Sequence, residues 1–324
     1  KHSLLISKGT KNMENYYFTV GIDVSKSHLD FAVFDQLNCQ STEQIPNKSE
    51  AIESFLVRYA KKYPLSKTLF CLEYTGLYSN FLLTVLYNHQ VATWIENPVQ
   101  IKRSMGLQKG ENDQIDAQRI AEYAFRFQDQ VKLYEPENQI LEKIKELHQV
   151  RTQLVQTHKE LNTVYQEKKK FLKQEIGLLI ADYYDPILEE LKVKMKSIEK
   201  KLIALLAEDE DLQQKMKIIT SIPGVGAVTA RALLIATQGF TPFDNGRQLA
   251  CYCGVAPFEN QSGRRRSKAR VSHFANKKLK SLLHMCELNA VRMEGELKVY
   301  YERKVAQKKS KMLVLNAVRN KGTI

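Results

Sequence analysis

The sequence holds no apolar run long enough to cross a bilayer. A secretory signal is not expected either. Residues 1–12 carry only the short patch Leu4-Leu5-Ile6 and no small-residue cleavage site. Met13 reads as a start, which would make the preceding residues a leader or an addition. Cysteine is sparse and odd in number, with five in 324 residues: Cys39, Cys71, Cys251, Cys253 and Cys286. Cys251-Tyr252-Cys253 has no second pair to complete four ligands, so a structural zinc framework is excluded from the reading. An unpaired set of this kind fits reduced, mostly buried thiols in a cytosolic protein. No Ser/His/Asp arrangement is visible either, which leaves ordinary hydrolase chemistry without its base.

What is present is positive charge. Lys and Arg number 49 against 36 Asp and Glu, a formal balance of +13. With export and membrane features missing, this excess favours nucleic acid over an anionic membrane as partner. The charge is concentrated. From Ser262 to Lys311 there are 15 basic and 4 acidic residues, a balance of +11.

The N-terminal part alternates strands and helices. Residues 16–24 and His28–Asp35 read as two strands joined by a turn at Ser25-Lys26-Ser27, with a weaker third strand over Cys39–Ile45. Asn47-Lys48-Ser49 opens a helix with Ile52, Phe55, Leu56 and Tyr59 on one face. Strands at Lys67–Glu73 and Gln90–Glu96 alternate with helices at Tyr78–Asn88, Val99–Met105 and Asp113–Phe127. The last of these is expected to turn Ile115, Ile120, Ala121, Ala124 and Phe127 inward. A meander followed by alternating strands and helices predicts an α/β sheet of RNase H-like order over residues 13–134.

Residues 135–216 are polar, proline-poor and helical. Ile140, Ile144, Leu147, Arg151, Leu154, His158, Leu161 and Tyr165 fall at alternating steps of four and three, as do Ile198, Leu202, Leu205, Asp209 and Leu212. Gly177 and Asp185-Pro186 mark the expected reversal of a coiled-coil-like hairpin. Arg151, His158 and Asp209 fall in its seam. Residues 217–324 read as a mainly helical domain. Ile222-Pro223-Gly224-Val225-Gly226 has the form of a helix-hairpin-helix turn, whose glycines let amides meet a phosphate.

Two chemical sites follow. Asp23 ends the first strand and Glu73 the fourth, on strands expected to be neighbours; Asp113 and Asp116 share one helical face. Four acids gathered in this way would hold Mg²⁺ or Mn²⁺ for phosphoryl transfer. The pattern alone reads equally well as a capped helix start and a solvent acid. Ser262, followed by Gly263 and the cluster Arg264-Arg265-Arg266, with Lys268 and Arg270 beyond, is a candidate nucleophile beside groups that hold phosphate. On pattern alone it reads more readily as a phosphate-binding serine. Lys277 and Lys278 extend the basic segment.

Taken in order, Gly21-Ile22-Asp23-Val24-Ser25-Lys26, Leu72-Glu73-Tyr74-Thr75-Gly76, the run Lys109–Ala117, Ile222–Gly226, Gly254-Val255-Ala256-Pro257 and Ser262-Gly263 resemble the IS110 ("IS-one-ten") transposases. These are DEDD-type recombinases of bacterial insertion sequences, with related site-specific DNA invertases. The resemblance implies a RuvC-like domain with Asp23, Glu73, Asp113 and Asp116 as ligands of Mg²⁺ or Mn²⁺. It implies homo-oligomers, dimers or tetramers, assembled through the coiled coil. It implies a serine at Ser262 that links covalently to DNA, with Ser267 or Ser272 as fallback because Val271–Asn276 lacks a glycine that the family's loop often carries. Element-end and target DNA, and a structured non-coding guide RNA, are the implied partners; Gly224, Gly226 and the basic residues named above would contact them. A cytoplasmic, nucleoid-associated bacterial protein is the implied setting. The alternatives are a RuvC-like structure-specific nuclease with no covalent intermediate, and a binding protein whose acids are structural.

Overall fold

The computed structural model describes residues 16–36, 38–104, 112–136, 138–259, 261, 262, 265, 266, 269–271 and 275–323. It divides into two compact units, Lys1–Pro136 and Glu137–Ile324.

The first unit is a five-stranded sheet between helices. β1 (Phe18–Val24), β2 (His28–Asp35) and β3 (Asn38–Pro46) form an antiparallel meander. β4 (Thr68–Glu73) then runs parallel to β1, and β5 (Thr93–Glu96) parallel to β4, giving the order β3-β2-β1-β4-β5. This is the expected RNase H-like arrangement. β1, β2 and β4 are buried on both faces, which is why they read as nearly continuous apolar runs, whereas the edge strand β3 is exposed at all but Ile45. One face puts Val20, Ile22, Phe31, Phe70 and Leu72 into a core with α1 (Ser49–Ala60) and α2 (Asn80–Asn88). After β5 come the short α3 (Pro98–Ser104) and then α4 (Asp113–Arg126), which covers the other face.

The seating of α4 departs from the expected inward set. Ile115 is exposed, while Ala117, Ile120, Ala121, Tyr123 and Ala124 are buried. The cause is Gly21. A Cβ built there would lie 2.0 Å from the Ala117 carbonyl oxygen and 2.3 Å from the Ala121 nitrogen. The helix backbone therefore rests directly on the strand, and only small residues fit along the line of contact. Thr19 Oγ1 donates to the Ala121 carbonyl at 2.9 Å and fixes the same approach.

The second unit is mainly helical. α5 (Gln139–Phe171) and α6 (Gln174–Ala207) form a long antiparallel pair, and Tyr165 stacks on Tyr184 at 4.8 Å toward its far end. The chain reverses at the extended residues Leu172 and Lys173, not at Gly177 or Pro186. Pro186 sits exposed within α6, which continues through it. Asp209 is not a seam residue. It caps α7 (Glu210–Thr220) by accepting from Leu212 N at 2.9 Å, and it accepts from Asn138 Nδ2 at the start of α5. Arg151 does lie between the helices and finds Glu199 at 2.8 Å. Glu199 also binds Arg231, which is 1 % exposed, at 2.8 and 2.9 Å.

α8 (Ala227–Ala236) and α9 (Gly246–Tyr252) follow. Then come four two-residue strands, β6 (Pro257–Phe258), β7 (Gln261–Ser262), β8 (Arg265–Arg266) and β9 (Arg270–Val271), which the sequence did not lead us to expect. α10 (Lys277–Ala290), α11 (Glu296–Ala306) and α12 (Lys311–Thr323) complete the unit. Leu141, Ile144, Leu202 and Leu205 at the base of the hairpin share one core with Leu212, Leu234, Leu249 and Leu279. α10 and α12 are joined by a buried ion pair in which Arg319 Nε donates to Glu287 Oε2 at 2.5 Å, with His284 Nδ1 2.8 Å from Oε1.

Candidate functional site

The acidic site is built at one end of the sheet in the first unit. Asp23 is the penultimate residue of β1, and the antiparallel register sets it opposite Asp30 of β2. Opposed residues project from the same face, so both acids lie on the face that α4 covers. Glu73 closes β4, the parallel neighbour of β1. α4 then supplies Asp113 and Asp116 in its first turn, with Asn112 capping it by accepting from Gln114 N at 3.0 Å. Strand ends, a helix start and the glycine contact that seats the helix thus converge on four carboxylates.

Their mutual influence is electrostatic as well as spatial. Burial, then the charges of Asp113, Asp116 and Asp30, push the Asp23 carboxyl up to about 6. Glu73 is raised first by burial and next by Asp23; Lys102 opposes the rise and Asp116 adds to it. Arg119 Nη1 donates to Asp116 Oδ1 at 2.8 Å. Carboxylates held together at a cost to their ionised forms, offering oxygen donors only, fit a hard divalent cation, which would relieve the repulsion.

Two residues at this site were absent from the sequence-based candidates. Asp30 is 2 % exposed, and both its oxygens accept from Gln44 Nε2, at 3.0 and 3.1 Å. His28 Nε2 lies 3.7 Å from Asp30 Oδ2 and 3.4 Å from Asp113 Oδ2. His28, Asp30 and Asp113 are the one group of metal-ligating side chains this close together among the described residues. The available signal was the acid in the middle of the apolar run His28-Leu29-Asp30-Phe31-Ala32-Val33. A charge in a strand that reads as fully buried needs a partner.

The serine loop lies in the second unit. Ser262 pairs with Arg265, and Gln261 with Arg266, across the backbone of the β7–β8 hairpin. Arg270 is exposed on β9, opposite Phe258. Gly263, Arg264, Ser267, Lys268, Ser272 and His273 lie outside the described residues. Lys277 and Lys278 are exposed in the first turn of α10, which Asn276 caps by accepting from Leu279 N at 3.1 Å.

The glycine turn between α7 and α8 has Pro223 and Gly224 at its centre and is closed by Val225 N donating to the Ile222 carbonyl at 3.1 Å. Gly224 has φ +83, and a Cβ there would meet the Cys286 carbonyl oxygen at 2.3 Å. This glycine is therefore required by its own backbone and by close packing on α10. Gly226 precedes α8 with open space where a Cβ would stand. Beside the turn is an open groove of about 690 Å³, lined also by Asn289, Arg292 and Met293.

Comparison with known proteins agrees with this layout. A model described as the transposase IS116/IS110/IS902 family matches residues 216–302, and a transposase model for the DEDD region of IS110 elements matches residues 20–174. The "Pilin gene-inverting protein" of Moraxella bovis is 23 % identical over 270 residues, 82 % of this chain and 80 % of that protein. The "Transposase for insertion sequence element IS1111A" of Coxiella burnetii is 26 % identical over 218 residues, 60 % of this chain and 58 % of that one. Among solved structures, T. thermophilus RuvC in complex with a Holliday junction substrate aligns over 37 % of this chain and all of its own, at 16 % identity and a TM-score of 0.29. That likeness is slight, and the fold assignment rests on the strand order. The two family models cover both units, and on them the chain belongs to the IS110 family of transposases.

Proposed function

We propose that the protein cuts and exchanges DNA strands with two sites: the four acids Asp23, Glu73, Asp113 and Asp116, and the serine Ser262. The observation that carries the first is the convergence of the acids at one end of the sheet, with Asp23 and Glu73 made harder to ionise by burial and then by their acidic neighbours. Bound there, Mg²⁺ or Mn²⁺ would supply the charge that stabilises a reacting phosphate. Ser262 Oγ attacks the phosphorus, the bond to the departing sugar oxygen breaks, and that oxygen leaves as a hydroxyl. A second strand's hydroxyl then displaces the serine, so the phosphodiester is conserved without an outside energy source. Relatives named for inverting a pilin gene and for moving an insertion element fit an exchange of this kind.

The partners follow from charge and surface. The +11 stretch from Ser262 to Lys311 supports a nucleic-acid contact, through Arg264, Arg265, Arg266, Lys268 and Arg270 with Lys277 and Lys278. Two lysines at a helix start stand against the helix dipole, which an external phosphate would offset. The amides at Gly224 and Gly226 add a phosphate contact. A structured guide RNA, as the family resemblance implies, would select sequence by base pairing while the protein holds backbone and shape. The far part of the α5–α6 hairpin exposes Phe171, Leu178, Leu179 and Tyr183, apolar surface of the sort that a second copy covers.

The test is a denaturing trap. Protein, element-end DNA, the element's own non-coding RNA and Mg²⁺ should yield a protein–DNA adduct that peptide mass places on Ser262. Ser262→Ala and Asp116→Ala should each abolish strand exchange, a drop of at least about 10³-fold, with binding retained. Full exchange by Ser262→Ala sinks the serine mechanism, and cleavage without an adduct points to a plain nuclease.

A further inference from the structure

Asp113 is the most exposed of the four acids, at 56 %, and begins a helix. A surface carboxylate at a helix start turns freely unless something holds it, and a ligand must be held to bind its ion well. The side chain that reaches it is His28. A carboxylate oxygen only accepts, so His28 Nε2 must carry the hydrogen that faces Asp113 at 3.4 Å and Asp30 at 3.7 Å. In the neutral ring, Nδ1 then accepts from Ser27 Oγ at 2.8 Å. Asp30, whose Oδ2 approaches the same Nε2 as Asp113 does, is itself fixed by Gln44 through both oxygens.

These groups run from β3 to α4 as a chain of polar neighbours: Gln44 hydrogen-bonded to Asp30, and Asp30 and Asp113 both facing His28 Nε2, at 3.7 and 3.4 Å. Gln44 and Asp30 are paired across the β2–β3 ladder, so this chain of neighbours starts on rigid backbone. His28 is the first residue of β2, anchored by its amide on Ser25 Oγ at 3.1 Å and by its carbonyl, which accepts from Ser25 N at 3.0 Å. The imidazole therefore cannot drift with the helix start. It can restrain one Asp113 oxygen and leave the other free to ligate.

We infer that His28, braced by Asp30, is a positioning residue that orients Asp113 for the divalent cation. The inference rests on reading the four acids as the metal centre. It assigns His28 no contact with DNA and no proton to transfer.

The experiment is Mn²⁺ binding to the full chain, followed by electron paramagnetic resonance, with thermal melts as the folding control. His28→Ala should weaken binding by about 10- to 100-fold, the usual effect of removing a group that orients a metal ligand. His28→Gln, which places an amide N–H near the same point, should restore most of it. Asp30→Asn should weaken it as well, by loosening the imidazole. Asp116→Ala provides the reference for removal of a ligand. Wild-type binding that Asp116→Ala removes and His28→Ala leaves within about twofold overturns the role of His28 alone. His28→Gln binding as weakly as His28→Ala also overturns it, since N–H donation would not be what matters. Wild-type protein showing no Mn²⁺ binding that depends on Asp23 and Asp116 overturns the metal-centre reading, and this inference with it.

Discussion

At the scale of single residues, the site is shaped by burial of carboxylates beside one another. Asp23 is raised to about 6 because it is partly buried beside Asp113, Asp116 and Asp30. Without metal, its charge destabilises the fold wherever it is ionised. The penalty is complete above about pH 6 and fades as pH falls toward the ordinary aspartate value of 3.8, where folded and unfolded states are protonated alike. Asp23→Asn should therefore raise the Tm of metal-free protein by a few degrees at about pH 7.5 and leave it unchanged at about pH 3.5. An unchanged or lower Tm at the higher pH would contradict a cost to burying this charge beside its neighbours. Protons compete with the cation over the same range, so metal affinity should fall as pH drops below about 6. Asp23, Glu73, Asp113 and Asp116 stood out in the sequence as acids at the ends of apolar runs and at a helix start, but it was the family resemblance that singled them out as a set. Asp30 was not, because its partner Gln44 belongs to a strand of mixed composition and the pairing is a matter of register.

At the scale of elements, one contact decides whether the acids meet. α4 can bring Asp113 and Asp116 to Asp23 only by lying on β1, and it lies there because Gly21 has no side chain. Gly21→Ala forces a methyl into helix backbone, which cannot yield as a side-chain tip can. The cost should fall at or above the upper end of about 1–3 kcal/mol, read as a lower denaturation midpoint. Mn²⁺ binding should weaken too, because the helix start is displaced. Unchanged stability would show that α4 is not seated as described. The glycine was visible as part of Gly21–Lys26, but its reason was not, because Ala117 and Ala121 stand far along the chain. The hairpin teaches the converse. Its heptad-like spacing was legible, yet the reversal was misplaced to Gly177 and Pro186, since those residues punctuate most chains. The actual turn, at Leu172 and Lys173, carries neither glycine nor proline.

At the scale of the whole molecule, charge is divided unevenly. The first unit gathers carboxylates into one site, while the second carries the +11 segment. Nucleic-acid binding should therefore be salt-sensitive through the second unit. Replacing Lys277 and Lys278 together by alanine should lower the slope of log affinity against log salt by about 1 for each phosphate that they neutralise, evenly across DNA sequences. Filter binding at several salt concentrations measures it. Weakening confined to one sequence would mean that these lysines read bases. The base of the hairpin shares a core with the C-terminal helices, so residues that the sequence pattern divides at 216/217 pack around common side chains. Arg231 shows how closely: a fully buried guanidinium is held by Glu199 of the hairpin.

The sequence by itself determined the strand–helix order, the long helical pair and the basic end. Each of these rests on local periodicity, composition or charge, which a chain displays before it folds. Only the tertiary structure decided what the acids touch. Asp30, His28 and Gln44 join the site through strand register, and Gly21 admits α4 through a contact between backbones. Both depend on atoms distant in sequence and adjacent only after the sheet has formed and the helix has closed over it.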